Sequence, residues 1–170
     1  MKTIANIIGI AAVAMFVLSY QCKTRRSILF FNAGSRVLYV LQYLLLGAFE
    51  GAVLDIVALA VSVLAQHRDR GWMKKHPRLT VLGANVFVAA MGLLCYKNVF
   101  SLLPILGVLF ETDALWLKQE RQIRRVSFFG APCWLAYNLV CAAYGSAIGN
   151  VLAMVSISIA MVRYDMGKKK

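Results

Sequence analysis

The sequence predicts an all-α membrane protein with seven transmembrane helices, arranged as a parallel 3+1+3 repeat of two triple-helix bundles and a linker helix. Three observations predict this fold class. Apolar runs recur along the whole chain, basic residues cluster between alternate runs, and the two ends of the chain match each other in sequence. The first observation concerns the environment, the second the orientation and the third the internal symmetry.

The composition favours a bilayer over water. Of the 170 residues, 61% are hydrophobic and 15% are charged, whereas a soluble domain carries about a quarter charged residues. A membrane-spanning helix needs about 20 mainly apolar residues, within a range of roughly 17–25. Runs close to this length predict helices over Ile4–Tyr20, Ile28–Gly47, Gly51–Ala65, Leu79–Tyr96, Leu102–Leu117, Val126–Tyr144 and Ala147–Arg163, with tight hairpins at Gly47–Gly51 and Gly145–Gly149.

Basic residues predict the orientation. The chain has 19 Lys and Arg residues against 7 Asp and Glu, and 16 of the 19 lie in Cys22–Arg26, His67–Arg78, Lys118–Arg125 and Arg163–Lys170. These segments share one side of the membrane only if seven spans begin on the other side. Loops rich in Lys and Arg stay in the cytoplasm, so we expect an outside N-terminus and a cytoplasmic C-terminus. Because the charges lie between apolar runs, they indicate anionic lipids at the cytoplasmic face and argue against nucleic acid as a partner.

The two ends of the chain match without a gap at a shift of 98 positions. Between Ile7 and Leu64, 14 positions are identical, and several are residue types that seldom coincide by chance in an apolar chain. Examples are Gly9/Gly107, Arg26/Arg124, Phe30/Phe128, Tyr39/Tyr137, Gly47/Gly145 and Gly51/Gly149. We interpret the match as a duplicated three-helix unit.

This duplication predicts the domain organisation. Residues 1–66 form the first unit, 67–98 a basic loop and linker helix, 99–165 the second unit, and 166–170 a basic tail. A single helix between the copies makes both enter the membrane from the same face, which predicts an axis along the membrane normal. Since the first predicted helix matches the fifth, we expect it to stay in the fold rather than be cleaved as a signal peptide.

Several segments resemble the YgjV family of bacterial inner-membrane proteins. They are Leu102–Gly107, Ile123-Arg124, Pro132–Asn138, Ser156–Ser158 and Val162–Asp165, with a weaker similarity around Gly47-Ala48 and Gly51-Ala52. The 3+1+3 arrangement itself resembles the SWEET and PQ-loop carriers of sugars and amino acids. The first resemblance implies a place in the bacterial inner membrane, and the second, an analogy of architecture, implies transport of a small solute.

Charged and aromatic side chains at mid-membrane depth are the candidate pathway residues. Arg36 and Glu111 lie about 12 and 13 Å along their helices, at similar depth. Ionisable groups at this depth face the protein interior or a wet cavity, so Arg36 requires an anion or water. We favour Glu111, which would bridge the two repeats, and Asp55 is the alternative. The predicted pathway comprises Arg36, Tyr39, Tyr43, Asp55, Glu111, Trp134, Tyr137 and Asn138.

Two interpretations of these residues remain open. They line the pathway of a small-solute transporter, or they form a salt bridge that only locks helices together in a non-transporting structural or assembly protein. A polar passage through the midplane favours the first, and a dry, packed interface favours the second.

Chemistry other than transport finds little support in the sequence. It shows no nucleophile–base pair and no glycine-rich phosphate loop, so we expect neither an enzyme nor a cofactor. His67 and His76 lack partners at metal-ligand spacing, so we expect no metal site. The expected partners are the lipid bilayer, a small solute and a second copy of the chain.

Overall fold

The computed structural model describes residues 1–21, 25–117 and 119–166, and this part of the chain is almost entirely helical. Its helices are α1 (Lys2–Gln21), α2 (Arg25–Leu46), α3 (Phe49–Gln66), α4 (Gly71–Lys75), α5 (Pro77–Leu94), α6 (Leu102–Trp116), α7 (Glu120–Val140) and α8 (Tyr144–Ala160). A 3₁₀ turn, Val99–Ser101, precedes α6, and a π-helical turn, Met161–Met166, continues α8.

Each predicted helix has a counterpart among the described residues, and the all-α class is confirmed over that part of the chain. The sequence did not predict α4, which is five residues long and lies within the basic loop. Helix α7 begins at Glu120 rather than at Val126. Its first two turns are rich in Glu, Gln and Arg, which are good helix formers, so the helix extends beyond its apolar run.

The first hairpin turns at Gly47, between α2 and α3. Gly47 has a φ of 73°, a left-handed conformation that strains residues with a Cβ. The Gly47 N–H donates to the Leu44 carbonyl at 3.2 Å, and the Ala48 N–H donates to the Tyr43 carbonyl at 2.9 Å. Ala48 then precedes α3 with φ −88° and ψ 64°.

The second hairpin repeats this geometry, but at Ala142 rather than at the predicted Gly145. Ala142 has a φ of 56°, and its N–H donates to the Leu139 carbonyl at 3.2 Å. The Ala143 N–H donates to the Asn138 carbonyl at 2.8 Å, and Ala143 precedes α8 with φ −84° and ψ 61°. The prediction of a hairpin at Gly145–Gly149 is therefore wrong, since both glycines lie inside α8.

The two turns correspond at a register of 95 positions, from Gly47 to Ala142, and not at 98. Side-chain contacts follow the same register. The Ser146 hydroxyl donates to Gln42 Oε1, and at the corresponding positions the Gly51 N–H donates to the Tyr137 hydroxyl at 2.9 Å. The pairing of Tyr39 with Tyr137 is therefore corrected: Tyr39 corresponds to Trp134.

Helix packing also follows this register. Helix α2 packs on α1 and α3, and α7 packs on α6 and α8. Between these two groups α1 packs on α8 and α6 packs on α3, which are corresponding contacts. Helix α5 lies outside both groups, against α3 and α6.

The outer surface is apolar. Ile7, Leu82 and Ile159 are each 61% exposed, and exposed apolar surface of this kind is stable in lipid rather than in water. By length and composition, three stretches among the described residues are suited to cross a membrane: Pro77–Leu94, Val99–Trp116 and Tyr144–Asp165. Shorter apolar helices cover Lys2–Phe16 and Ala33–Leu46.

Candidate functional site

A cavity of about 650 Å³ lies between the α1–α3 group and the α6–α8 group, and all six helices contribute lining residues. At one end it reaches Arg68 and Asp69, just beyond α3, where the Asp69 side chain is 84% exposed. At the other end it is lined by Tyr43, Asn138 and Ser146, which are at most 3% exposed. The cavity therefore opens on the face of the basic loops and is closed near the two tight turns.

An ion cluster lies in the wall of the cavity. Arg36, at the middle of α2, donates from Nη1 to Asp55 Oδ1 of α3 at 2.8 Å. Its Nη2 donates to Glu111 Oε2 of α6 at 3.1 Å. The side chains are 17% (Arg36), 6% (Asp55) and 32% (Glu111) exposed. One guanidinium thus joins both groups of helices, and Arg36 binds both of the carboxylates that the sequence offered as alternatives.

Aromatic and amide side chains close the cavity near the turns. The Tyr43 hydroxyl donates to Asn138 Oδ1 at 2.7 Å, and Asn138 Nδ2 donates to Asn150 Oδ1 at 2.7 Å. The Tyr43 ring stacks on Trp134, with centroids 6.2 Å apart and planes at 19°. Since Tyr43 and Asn138 are corresponding residues at the register of 95, this hydrogen bond joins the two groups at equivalent positions.

Seven of the eight predicted pathway residues line the cavity: Arg36, Tyr39, Tyr43, Asp55, Glu111, Trp134 and Asn138. Tyr137 is not among the lining residues. It lies behind this wall, 2% exposed, with its ring 6.1 Å from that of Tyr43 and its hydroxyl on Gly51. The three-residue error in the predicted register explains the difference, because three residues turn a helix by about 300° and so move a side chain about 60° around it.

Asp113 of α6 faces the linker helix. Its Oδ1 accepts from Asn85 Nδ2 of α5 at 2.7 Å. Because Asp113 follows Glu111 by two positions, the two carboxylates point to different sides of α6, one toward α5 and one toward the cavity.

Sequence reasoning missed several polar lining residues. They are Ser35, Ser62, Arg68, Asp69, Ser127, Ser146 and Asn150. Asn150 carried a usable signal, since an amide inside an apolar run needs a hydrogen-bond partner. Single serines carry a weaker signal because they also bond the preceding helical turn, as Ser62 does to the Ala58 carbonyl.

The cavity wall is symmetric in position and asymmetric in charge. Six pairs of described lining residues correspond at the register of 95: Phe16/Glu111, Arg36/Ala131, Tyr39/Trp134, Tyr43/Asn138, Asp55/Asn150 and Ser62/Ile157. Each member of the ion cluster therefore has an uncharged counterpart. The first group of helices supplies Arg36 and Asp55, and the second supplies Glu111.

Fold and site together define a helical membrane protein with a charged internal cavity. Among known proteins, the model of the Imp-YgjV family, described as a bacterial inner membrane protein, matches residues 3–168. The chain therefore belongs to this family, which confirms the resemblance found in its sequence and its place in the bacterial inner membrane. No curated protein and no solved structure matches the chain.

Proposed function

We propose that this protein is a small-solute transporter rather than an enzyme, with its pathway between the two three-helix repeats. The observation that carries the proposal is the Arg36–Asp55–Glu111 cluster, which joins the two groups of helices in the wall of a 650 Å³ cavity. Charged groups inside a membrane are costly and occur mainly where they bind ions or solutes or move protons.

The cavity distinguishes this proposal from a structural or assembly role. A salt bridge that only locked helices together would be expected in a dry, packed interface. Here Glu111 is about one-third exposed, beside a space large enough for a small organic molecule. The structure thus supports the polar passage rather than the packed interface.

Access from one side also favours transport. The end near Tyr43 and Asn138 is closed by buried hydrogen bonds, whereas the end at Arg68 and Asp69 is open. A carrier needs such one-sided access, since a passage open at both ends would dissipate the gradient. Equivalent units on the two sides of the cavity provide a means to exchange the open and closed ends by rocking against each other.

The proposed topology has seven spans, an outside N-terminus and a cytoplasmic C-terminus, with the units related by an axis along the membrane normal. The corresponding contacts of the two groups support the duplication, and the basic segments support the orientation. In this orientation the open end of the cavity faces the cytoplasm, where the basic loops also meet anionic lipid.

A fusion at Lys170 tests the topology. A reporter that fluoresces only in the cytoplasm should give signal there, and a second reporter active only outside should give none. The reverse pattern, with intact protein in the membrane, would overturn the orientation.

Uptake into proteoliposomes tests the function. Purified protein is reconstituted and screened with labelled sugars, amino acids, organic cations and vitamins, against vesicles without protein. Ala153→Phe, which adds bulk to the cavity wall, should reduce uptake of the active solute at least tenfold. Ala14→Phe, the same change at an exposed position of α1, should leave uptake unchanged. Equal uptake by both variants, or protein that is folded and transports none of the solutes, would contradict the proposal and favour the structural role.

A further inference from the structure

The ion cluster in the cavity is not balanced in charge. It contains one guanidinium and two carboxylates. The described lining residues include two other charged side chains, Arg68 and Asp69. They lie at the open end of the cavity, three and four residues beyond Ala65 of α3. Arg68 there binds the Leu115 and Leu117 carbonyls. The cluster therefore carries one surplus negative charge within the membrane.

Geometry assigns the surplus charge to Glu111. Asp55 is nearly buried and makes the shorter bond to Arg36, at 2.8 Å, so these two form the neutral pair. Glu111 bonds at 3.1 Å through Oε2 and is the most exposed of the three side chains. An anion in a medium of low dielectric is stable only with a proton or with a cation beside it.

The wall around Glu111 is suited to an organic cation. Helix α6 carries Gly107 one turn before Glu111, and Trp134 packs so closely there that a Cβ at Gly107 would lie 2.7 Å from Trp134 Cδ1. Tyr39 lines the same cavity and is partly exposed, whereas Tyr43 and Trp134 are buried and stack on each other. Aromatic faces attract ammonium groups, most strongly where water is scarce, so Tyr39 can add to the attraction of the carboxylate.

We infer that the transported solute is a monovalent organic cation, which binds beside the Glu111 carboxylate. This inference rests on the proposed function and adds the class of solute. The cation lies beside this carboxylate and balances the charge that Arg36 leaves uncompensated.

Other titratable groups near the site do not replace Glu111 in this role. From α2 the site faces Arg36, Tyr39 and Tyr43, and from α3 it faces Asp55. The described lining residues of α1, α7 and α8 carry no charge. Asp113 of α6 bonds to Asn85 of α5, away from the cavity.

Calorimetry of the purified full-length protein tests the inference, with choline and benzyltrimethylammonium as probes. The neutral analogue 3,3-dimethylbutanol, in which a carbon replaces the nitrogen of choline, is the control ligand. We expect both cations to bind at least tenfold more tightly than the neutral analogue. Binding of the neutral analogue as tight as that of choline would overturn the inference.

Two variants on one helix make the test specific. Glu111→Gln keeps the size of the side chain and an acceptor for Arg36 but removes the surplus charge. It should lower cation affinity more than tenfold, while the thermal unfolding temperature stays near that of the wild type. Asp113→Asn removes a carboxylate two positions away and should change neither quantity. Equal loss in the two variants would contradict the assignment to Glu111.

The two proposals fail in different ways. Cation binding that depends on Glu111, without flux of any solute in vesicles, would contradict the transport function and support the site. Uptake of a neutral or anionic solute by protein that binds neither probe would contradict the cation site and support transport.

Discussion

The α1–α3 and α6–α8 groups share a frame and differ in their charges. Their turns have the same hydrogen bonds and backbone angles. Yet Arg36 and Asp55 of the first group correspond to Ala131 and Asn150 of the second, and Glu111 corresponds to Phe16. The shared frame brings equivalent positions to one cavity, and the differences between the groups determine its chemistry. Two groups of helices with the same turns and packing can thus form a polar site without carrying each charge twice.

The largest expected loss of stability follows from removing the guanidinium of the ion cluster. Arg36→Leu leaves Asp55 and Glu111 without their counter-charge and should lower stability by about 3–5 kcal/mol. Because Arg36 binds both carboxylates, the double change with Glu111→Leu should recover only part of the loss. The triple change that adds Asp55→Leu should recover more. Thermal unfolding in detergent measures each step, and strictly additive losses would show that the three residues are not one cluster.

A second experiment makes the two groups more alike. Asn150→Asp places a carboxylate at the position that corresponds to Asp55, where the described second group offers no arginine in place of Arg36. It should cost about 1–3 kcal/mol at neutral pH. The cost should shrink as the pH falls, because protonation removes the added charge.

The control for this change is Asn98→Asp at an exposed turn, which should alter stability by less than about 0.5 kcal/mol. Unfolding curves at several pH values compare the two variants. A loss at Asn150 that does not depend on pH would mean that lost packing, rather than charge, causes it.

The smallest expected losses of stability are at Gly47 and Gly145, the two glycines that the sequence match paired. A Cβ at Gly145 would lie 2.7 Å from the Gly9 carbonyl carbon, so Gly145→Ala should cost about 1–3 kcal/mol through overpacking. At Gly47 a Cβ would have no heavy atom within 4 Å, and Gly47→Ala should cost about 1 kcal/mol from its left-handed backbone alone.

These losses of stability show which positions of the two groups of helices correspond. Ala142→Gly, at the residue that corresponds to Gly47, should be neutral or slightly stabilising, again by unfolding in detergent. Equal losses at Gly47 and Gly145, with destabilisation by Ala142→Gly, would contradict the register of 95 and restore the register of 98.

Much of the fold could be predicted from the sequence, and so could the centre of the site. Apolar runs separated by basic segments gave the helices, because burial in lipid requires them. The similar depth of Arg36 and Glu111 along their helices predicted that they are partners, because a charge at that depth needs a counter-charge.

The register at which the two groups of helices correspond could not be predicted in this way. Matches such as Tyr39/Tyr137 and Gly47/Gly145 favoured a shift of 98, but in the second group an alanine adopts the backbone conformation that glycine adopts in the first. The glycines that match in sequence therefore do not occupy equivalent backbone positions, and only the hydrogen bonds of the turn show which residues are equivalent. The same error placed Tyr137 on the pathway and left Asn150 out of it.

The linker helix has a mechanical consequence. Through Asn85 it holds Asp113 of α6 from outside, while Arg36 holds Glu111 of the same helix from the cavity. Helix α6 is thus held on two sides by hydrogen bonds of side chains two positions apart, in a membrane interior where little water competes for such bonds. A motion that separates α6 from α5 must break the bond of Asp113, and one that separates α6 from α2 must break the bond of Glu111. Movement of this wall of the cavity is therefore coupled to a helix that lies outside the cavity.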